Sequence, residues 1–469
     1  MMDVGASAEY IRPGHSPQRG PKSETNLDTA RPVSPVLSPI SPSRSPQELP
    51  RLLVATTSGD TMRTRVLSLD DLTSLDHAAW QRLADRAVSP NAYLDPRFLA
   101  GVRHGFSESA PLRLIVAEHA GSWQGVLAVT TTPVHPRLPW RATTTGGDFM
   151  TSHADRHHPL LDRDHPTLAA RALLDGMREA GLPRLVQLQH LPSTGPVADA
   201  IGAATSAARM PLVDRRRSWA PVALRHTVLS HSAPLGDEPL PLLLGHLTRD
   251  DARNTRRHLR GIARELGAPA QVDPVRDDPA LEDEFIALQH AGWKGRTETG
   301  GASLRQHPNR EHWFRQTVAA FRARGDLIGL RLAAGDHTLW IGYLLRSGDT
   351  WFKFLDAYAE QFRPFSPGTL GRLAAITHVF TQTDAPLFDP GFDARYTVGA
   401  RLFPDRREQV DVVVATGGVW PSAVVRTWPW VRRARTGATS GRAQTQELAA
   451  AAGRGAQFAA RRPTTTRAL

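Results

Sequence analysis

The stretch from Leu327 to Tyr358 constrains the fold of this chain most. It reads LIGLRLAAGD, TLWIGYLLRSGD and TWFKFLDAY, three apolar runs separated by Gly-Asp turns. Runs of this kind, joined this tightly, predict an antiparallel three-stranded meander. A meander must bury one face against another layer. The neighbouring sequence supplies helices for that purpose. LEDEFIALQHAG and REHWFRQTVAAFRARG precede it with apolar residues at helical spacing. FSPGTLGRLAAITHVF follows as a loop and a helix, with Leu370, Leu373, Ala374 and Thr377 on one face. Two short strands, PLFDPG and QVDVVVAT, come next.

A similar order of element types occurs earlier in the chain. DLTSLDHAAWQRLADRA predicts an N-capped amphipathic helix, LRLIVAE and WQGVLAVT a pair of strands across a Gly-Ser turn, HPTLAARALLDGMREAG a helix ending at Gly181, and PRLVQLQHL a strand. The repeat is one of element order, not of sequence identity. The expected fold class is therefore α+β, with two tandem units of mixed sheet and flanking helices. The first covers 61–235 and the second 236–425. The second opens on LTRDDARNTRRHLRGIARELG, a helix capped by Thr248 and ended by Gly267. Residues 1–60 carry the Ser-Pro run SPVLSPISPSRSP, and 426–469 are rich in Arg, Ala and Thr. Both ends lack an apolar period and are expected to be disordered.

The chain has no cysteine, which excludes disulfides, thiol nucleophiles and thiolate metal sites. No apolar run reaches the roughly 18 residues of a membrane span, and the N-terminus has no signal-type apolar core. A cytoplasmic protein with no membrane span is expected. The net charge of +11 is concentrated in 426–469, where nine arginines face one acid, Glu447. The charge balance is thus no argument that the folded part binds nucleic acid, and no DNA partner is expected. Arg249, Arg253, Arg256, Arg260 and Arg264 form one stripe on the predicted helix. A solvated face is the plain reading, with an anionic acceptor or RNA as the alternative. His153, His157, His158 and His165 cluster without the spacing of a helical zinc motif, so no metal site is expected.

The junction YAEQFRPFSPGTLGRLAAI carries the most specific local chemistry. A helix beginning near Thr369 offers unpaired backbone N–H groups and a partial positive charge to a phosphate. Gly368 permits close approach to the backbone, and Arg363 and Arg372 add charge. Only three of the 57 basic residues are lysine. Two of these, Lys294 and Lys353, lie beside tryptophans in WKG and TWFKF. Lysine is a compact cation on a flexible stem, suited to a single anionic oxygen in a narrow site.

Several elements in order carry a family resemblance: Trp293-Lys294-Gly295, Asp356-Ala357-Tyr358, Ser366-Pro367-Gly368-Thr369-Leu370, Phe388-Asp389 and Phe403-Pro404-Asp405-Arg406-Arg407. This succession resembles the GNAT-like acyltransferases of the CelD and FemAB-related group. The resemblance covers 240–415 and, more loosely, 64–235, where NAYLDPRFLAG is similar to the family's first opening helix. It departs from the pattern at Ala359, where an acid often follows the tyrosine, and at Thr397, where a lysine often follows Tyr396.

The resemblance implies tandem GNAT-like domains and direct acyl transfer from acetyl-CoA or another acyl-CoA, with no metal. It implies a donor lying along Phe354 to Tyr358, with its pyrophosphate on Arg363, Ser366, Pro367, Gly368, Thr369 and Arg372. Asp356 and Asp389 are then candidate bases, and Tyr358 and Tyr396 candidate acids or substrate contacts. Trp293, Lys294 and Lys353 are candidate substrate contacts. The implied acceptor is an amine or hydroxyl of a small molecule, a sugar or a cell-envelope precursor such as one of exopolysaccharide synthesis. A donor carried on aminoacyl-tRNA and a non-catalytic scaffold are the alternatives.

Overall fold

The computed structural model describes residues 62–102, 112–134, 139–232, 240–275, 278–299, 301–392 and 397–428. The two expected disordered ends fall outside them, except for 426–428. Those three residues close a helical stretch at 419–428 and so correct that expectation locally. Val424 and Val425 of this stretch pack against Leu185 and Val413.

The first unit begins with β1 (Arg63–Ser68) and α1 (Ser74–Arg86). Thr73 and Asp76 cap α1 reciprocally, each side chain bonding the other's backbone N–H. The segment NAYLDPRFLAG becomes a 3-10 turn at Ala92–Leu94 and a single helical turn, α2 (Pro96–Leu99). Next come β2 (Arg113–His119), β3 (Ser122–Pro133), β4 (Arg141–Thr144), α3 (Asp148–His153), β5 (Leu160–Leu161), α4 (Pro166–Glu179), β6 (Leu185–Pro192) and α5 (Pro196–Ala207). The unit closes with β7 (Leu212–Leu224) and α6 (Arg225–Ser230).

The second unit opens with α7 (Arg249–Leu266), whose ends match the sequence expectation. The Thr248 hydroxyl accepts from the Asp251 N–H, and Gly267 adopts the left-handed conformation. It continues through β8 (Ala270–Val275), α8 (Ala280–Ala291), α9 (Pro308–Arg322), β9 (Leu327–Ala334), β10 (His337–Ser347), β11 (Thr350–Tyr358), α10 (Pro367–Gln382), β12 (Leu387–Asp389), α11 (Thr397–Ala400) and β13 (Asp405–Ala415). The expected meander is β9, β10 and β11, paired antiparallel.

The strands join in the order β1-β2-β3-β4-β6-β13-β7-β12-β11-β10-β9-β8, with β5 set against β3. Among the described residues only β4–β6 and β11–β12 are parallel pairs, so the sheet is mixed. The order shows an exchange. The last strand of the second unit, β13, lies between β6 and β7, while β7 of the first unit pairs with β12. Val410, Val412 and Val414 of β13 pack with α4 and α5 in the core of the first unit. A cut at 235/236 therefore parts β13 from both of its neighbours, and neither unit is complete without the other's last strand.

An aromatic cluster also joins the two units. Phe98 of α2 meets Trp313 of α9 edge-on at 5.3 Å and Phe354 of β11 at 5.8 Å. The Trp313 indole donates to the Phe98 carbonyl at 2.8 Å. The buried tryptophan thus satisfies its one polar group across the boundary.

Candidate active site

The strands β11 and β12 pair over only three positions: Thr350 with Leu387, Trp351 with Phe388 and Phe352 with Asp389. β12 ends there because Pro390 has no N–H to continue the ladder and Gly391 turns at φ 60°. β11 runs on through Lys353–Tyr358, paired on its other edge with β10. One edge of this stretch consequently borders a wedge. At its wide end the chain passes through a 3-10 turn, Glu360–Phe365, and then Ser366, which is left-handed at φ 53° and ψ 50°. Pro367 is the first helical residue of α10, where its missing N–H costs nothing.

The Tyr358 ring lies against this first turn, 3.4 Å from where a Cβ on Gly368 would stand. That is ordinary contact, so packing does not demand glycine at 368. It does at 371, where a Cβ would fall 2.1 Å from the Trp340 indole. The sequence reading singled out Gly368 and missed Gly371. Arg363 is exposed on the turn.

Asp356 is the hub of the wedge. Its carboxylate takes Arg372 Nε at 2.9 Å, the Trp340 indole N–H at 3.4 Å and Lys353 Nζ at 3.9 Å. Burial by itself would raise the Asp356 pKa. Arg372, Lys353 and Lys294, with the hydrogen bond from Arg372, outweigh it and hold the carboxyl well below the usual range. Such a carboxylate is a poor base, contrary to the sequence expectation. Its role here is to anchor cations. The Phe392 ring stands 5.3 Å from Lys353 Nζ and 5.0 Å from the Arg372 guanidinium.

The segment Trp293-Lys294-Gly295 is brought to this hub as another 3-10 turn. Glu360 fixes it, accepting the Trp293 N–H at 2.8 Å and pairing with Arg296. An acid one place beyond Ala359 thus clamps the WKG segment. Gln306 donates to the Gly295 carbonyl at 2.6 Å. Lys294 Nζ donates to the Asp356 backbone carbonyl at 3.1 Å and lies 5.9 Å from the Trp293 ring. Burial pulls the Lys294 pKa down. The Asp356 carboxylate opposes this, Lys353 and Arg372 reinforce it, and the result is about 8. The two internal lysines therefore meet at one residue, Lys353 at the Asp356 carboxylate and Lys294 at its backbone carbonyl.

Asp389 is sealed from solvent by its partners and is not placed to act as a base. It is fully buried. Arg156 binds it through two bonds, Nε to Oδ2 at 2.8 Å and Nη2 to Oδ1 at 2.7 Å. Arg407 pairs with it at 3.1 Å, and the Gly391 N–H donates to Oδ1 at 3.0 Å. Arg156 comes from the first unit, and so does Tyr93, whose hydroxyl donates to the Lys353 carbonyl at 3.0 Å. This contact occupies the point where β12 leaves β11. Sequence reasoning found neither residue, because a partner more than 200 positions away leaves no local signal. Tyr396 lies outside the described residues.

The histidine cluster is a packing feature. His157 and His158 are buried, and His157 stacks on His190 at 4.8 Å. No group of three or more His, Asp or Glu among the described residues is arranged to hold a metal ion. No helix among them is long and apolar enough to cross a membrane. An open cleft of 670 Å³, lined by Arg346, Trp351, His378 and Asp384 among others, lies at the opposite end of β11 from Ser366. It shares no residue with the wedge.

Residues 248–396 match the family model described as an acetyltransferase (GNAT) domain. The second unit carries that domain, and the fold of the chain is GNAT-like. Solved structures with partial likeness include FemX, at 11% identity over 75% of this chain and 97% of that one, with a TM-score of 0.46. A tandem GNAT protein from the clavulanic acid biosynthesis pathway has 12% identity over 76% and 99%, with a TM-score of 0.38. L-PGS from Bacillus licheniformis has 11% identity over 76% and 96%, with a TM-score of 0.43. Likeness of this degree says nothing about chemistry. No curated protein matches the chain.

Proposed function

We propose that the chain is an acyltransferase that takes its acyl group from acetyl-CoA or a longer acyl-CoA bound in the β11–β12 wedge. The observation that carries this reading is the divergence of two parallel strands after Phe352 and Asp389, with the first turn of α10 at the wide end. The acyl-pantetheine arm lies along Lys353–Tyr358. The pyrophosphate sits at Ser366–Thr369, with Arg363 and Arg372 nearby. The acceptor amine or hydroxyl, on a small molecule, a sugar or a cell-envelope precursor, attacks the thioester carbonyl. The C–S bond breaks, the thiolate leaves, and the acceptor proton passes to a base.

Lys294 is our candidate for that base. Its ammonium loses a proton near pH 8, and a base works best when its pKa lies near the working pH. Asp356 holds Lys294, Lys353 and Arg372 in place. Tyr358 contacts the donor end of the wedge. Trp293 walls the acceptor side, and Asp389 positions the end of β12.

Calorimetry with acetyl-CoA and longer acyl-CoAs tests the donor. Binding is expected for the parent chain and is expected to be lost in Gly368→Trp, where the indole blocks the first turn of α10. Undiminished binding by Gly368→Trp moves the donor elsewhere. Mass spectrometry of a metabolite extract incubated with acyl-CoA then identifies the acceptor.

A further inference from the structure

A side chain of the first unit closes the narrow end of the wedge. Tyr93 is buried, and its hydroxyl donates to the Lys353 carbonyl on β11 at 3.0 Å. The same oxygen stands 2.5 Å from where a Cβ on Gly391 would lie, just past the end of β12. The hydroxyl thus sits between the two strands where they part, one step after their last pair, Phe352 with Asp389. Only a glycine at 391 leaves it room.

The phenol is held in place. The buried Asn91 side chain accepts the Tyr93 N–H at 3.1 Å and donates to the His158 carbonyl at 2.8 Å. The Tyr93 ring meets Phe98 edge-on at 5.4 Å and Phe352 at 5.7 Å. A ring packed on this many sides has no empty volume to swing into. Burial, with the charges of Asp155 and Asp389, keeps the hydroxyl protonated, so it remains a hydrogen-bond donor.

Length decides what this closure meets. From Tyr358, whose ring lies against the first turn of α10, back to Lys353 is a run of about 16 Å along β11. An extended phosphopantetheine arm has about thirteen bonds between phosphorus and sulfur, which at roughly 1.2 Å per bond also spans about 16 Å. With its phosphate at α10, the thioester therefore reaches Lys353. Beyond that point an alkyl chain has no apolar way on. Ahead, β11 and β12 are paired. One face is filled by Tyr93, with Phe98 and Phe352 packed around it. The α10 face carries Lys353, Asp356 and Arg372, with the Phe392 ring over the two cations. An alkyl chain there would strip water and partners from charged groups.

We infer that Tyr93 is the stop for the acyl chain, and that the thioester carries a short acyl group such as acetyl or propionyl. The inference rests on the acyl-CoA reading above and narrows it. It also makes the first unit part of the active site, through a residue 260 positions from the strand it closes.

Calorimetry on the full chain compares free CoA, acetyl-CoA and hexanoyl-CoA. The parent is expected to bind the first two with similar affinity. Hexanoyl-CoA is expected to bind about tenfold more weakly or worse, since one methylene out of place in a pocket already costs about tenfold. Tyr93→Leu removes the stop and keeps an apolar side chain. It is expected to raise the ratio of hexanoyl-CoA to acetyl-CoA affinity about tenfold. Tyr93→Met, which fills the space with a side chain that can yield, is measured in parallel and is expected to shift the ratio the same way. A general loosening of the fold weakens all three ligands together and leaves the ratio unchanged. Equal affinity of the parent for both thioesters overturns the stop and leaves the acyl-CoA site standing. A ratio unchanged in whichever variant folds does the same. A parent that binds no form of CoA overturns the acyl-CoA reading itself, and the stop with it.

Discussion

At the scale of single residues, the wedge turns on one carboxylate and the cations around it. If neutral Lys294 accepts the acceptor's proton, the rate rises as pH climbs through about 8. Lys294→Arg keeps a cation that does not titrate in this range. The expected outcome is a pH–rate profile without the limb near 8 and a large loss of kcat, with donor affinity retained. Asp356→Asn removes the one influence that raises the Lys294 pKa, so any surviving limb is expected below 8. The same change removes the carboxylate that Arg372 and Lys353 pair with, and a loss on the order of 3 kcal/mol in denaturant stability is expected. The presence of lysines beside tryptophans was visible in the sequence. Their convergence on Asp356 was not, because Lys294 and Asp356 are 62 positions apart and no periodicity links them.

At the scale of elements, α10 shows how packing overrides propensity. Replacing glycine with alanine inside a helix ordinarily stabilises by about 1 kcal/mol. At Gly371 the new methyl falls 2.1 Å from the Trp340 indole. Overpacking of this kind costs about 1–3 kcal/mol, so Gly371→Ala is expected to lower the melting temperature despite the better helix former. The end of β12 depends on a buried pair. Arg156→Met leaves the Asp389 carboxylate short of its two-bonded partner, and a loss of about 3–5 kcal/mol is expected in chemical denaturation. The meander, the caps of α7 and the buried face of α10 were legible from periodicity and cap residues. β1, β4, β7, β8 and α5 were not anticipated. β7 contains the charged run DRRR, which carries no strand period of its own and lies along β13.

At the scale of the whole molecule, the exchange of β7 and β13 makes the two units one folding problem. A chain ending at 235 lacks β13, and a chain beginning at 236 lacks β7. Expressed separately, each is expected to be insoluble or unfolded by circular dichroism, and coexpression is expected to restore a complex. Acid is the second global stress. Burial, reinforced by Arg310, holds the His153 pKa to about 3, and burial, reinforced by His190, does the same for His157. Both titrate near 6.5 when unfolded. Their contribution is complete above pH 6.5 and falls away as pH drops toward 3. At pH 5 each is expected to cost about 2 kcal/mol relative to neutral pH. A His157→Gln variant that retains its fold at neutral pH is expected to show a shallower loss of stability between pH 7 and pH 5.

The sequence alone determined those elements whose signals are local, and the chemistry on them. Hydrophobic period, caps and turn residues act within a few positions, and they made the meander, the α7 helix and the Ser366–Thr369 junction readable. The resemblance in WKG, DAY and SPGTL pointed to the second unit as the place of the site. Only the tertiary structure decided which groups share a wedge, and why Asp356 anchors cations while Asp389 is sealed by an arginine from the other unit. A carboxylate's role is set by its desolvation and by the charges within a few ångströms. Those charges arrive from β11, α10 and the WKG segment in one case, and from the first unit and β13 in the other. The sequence does not carry those distances.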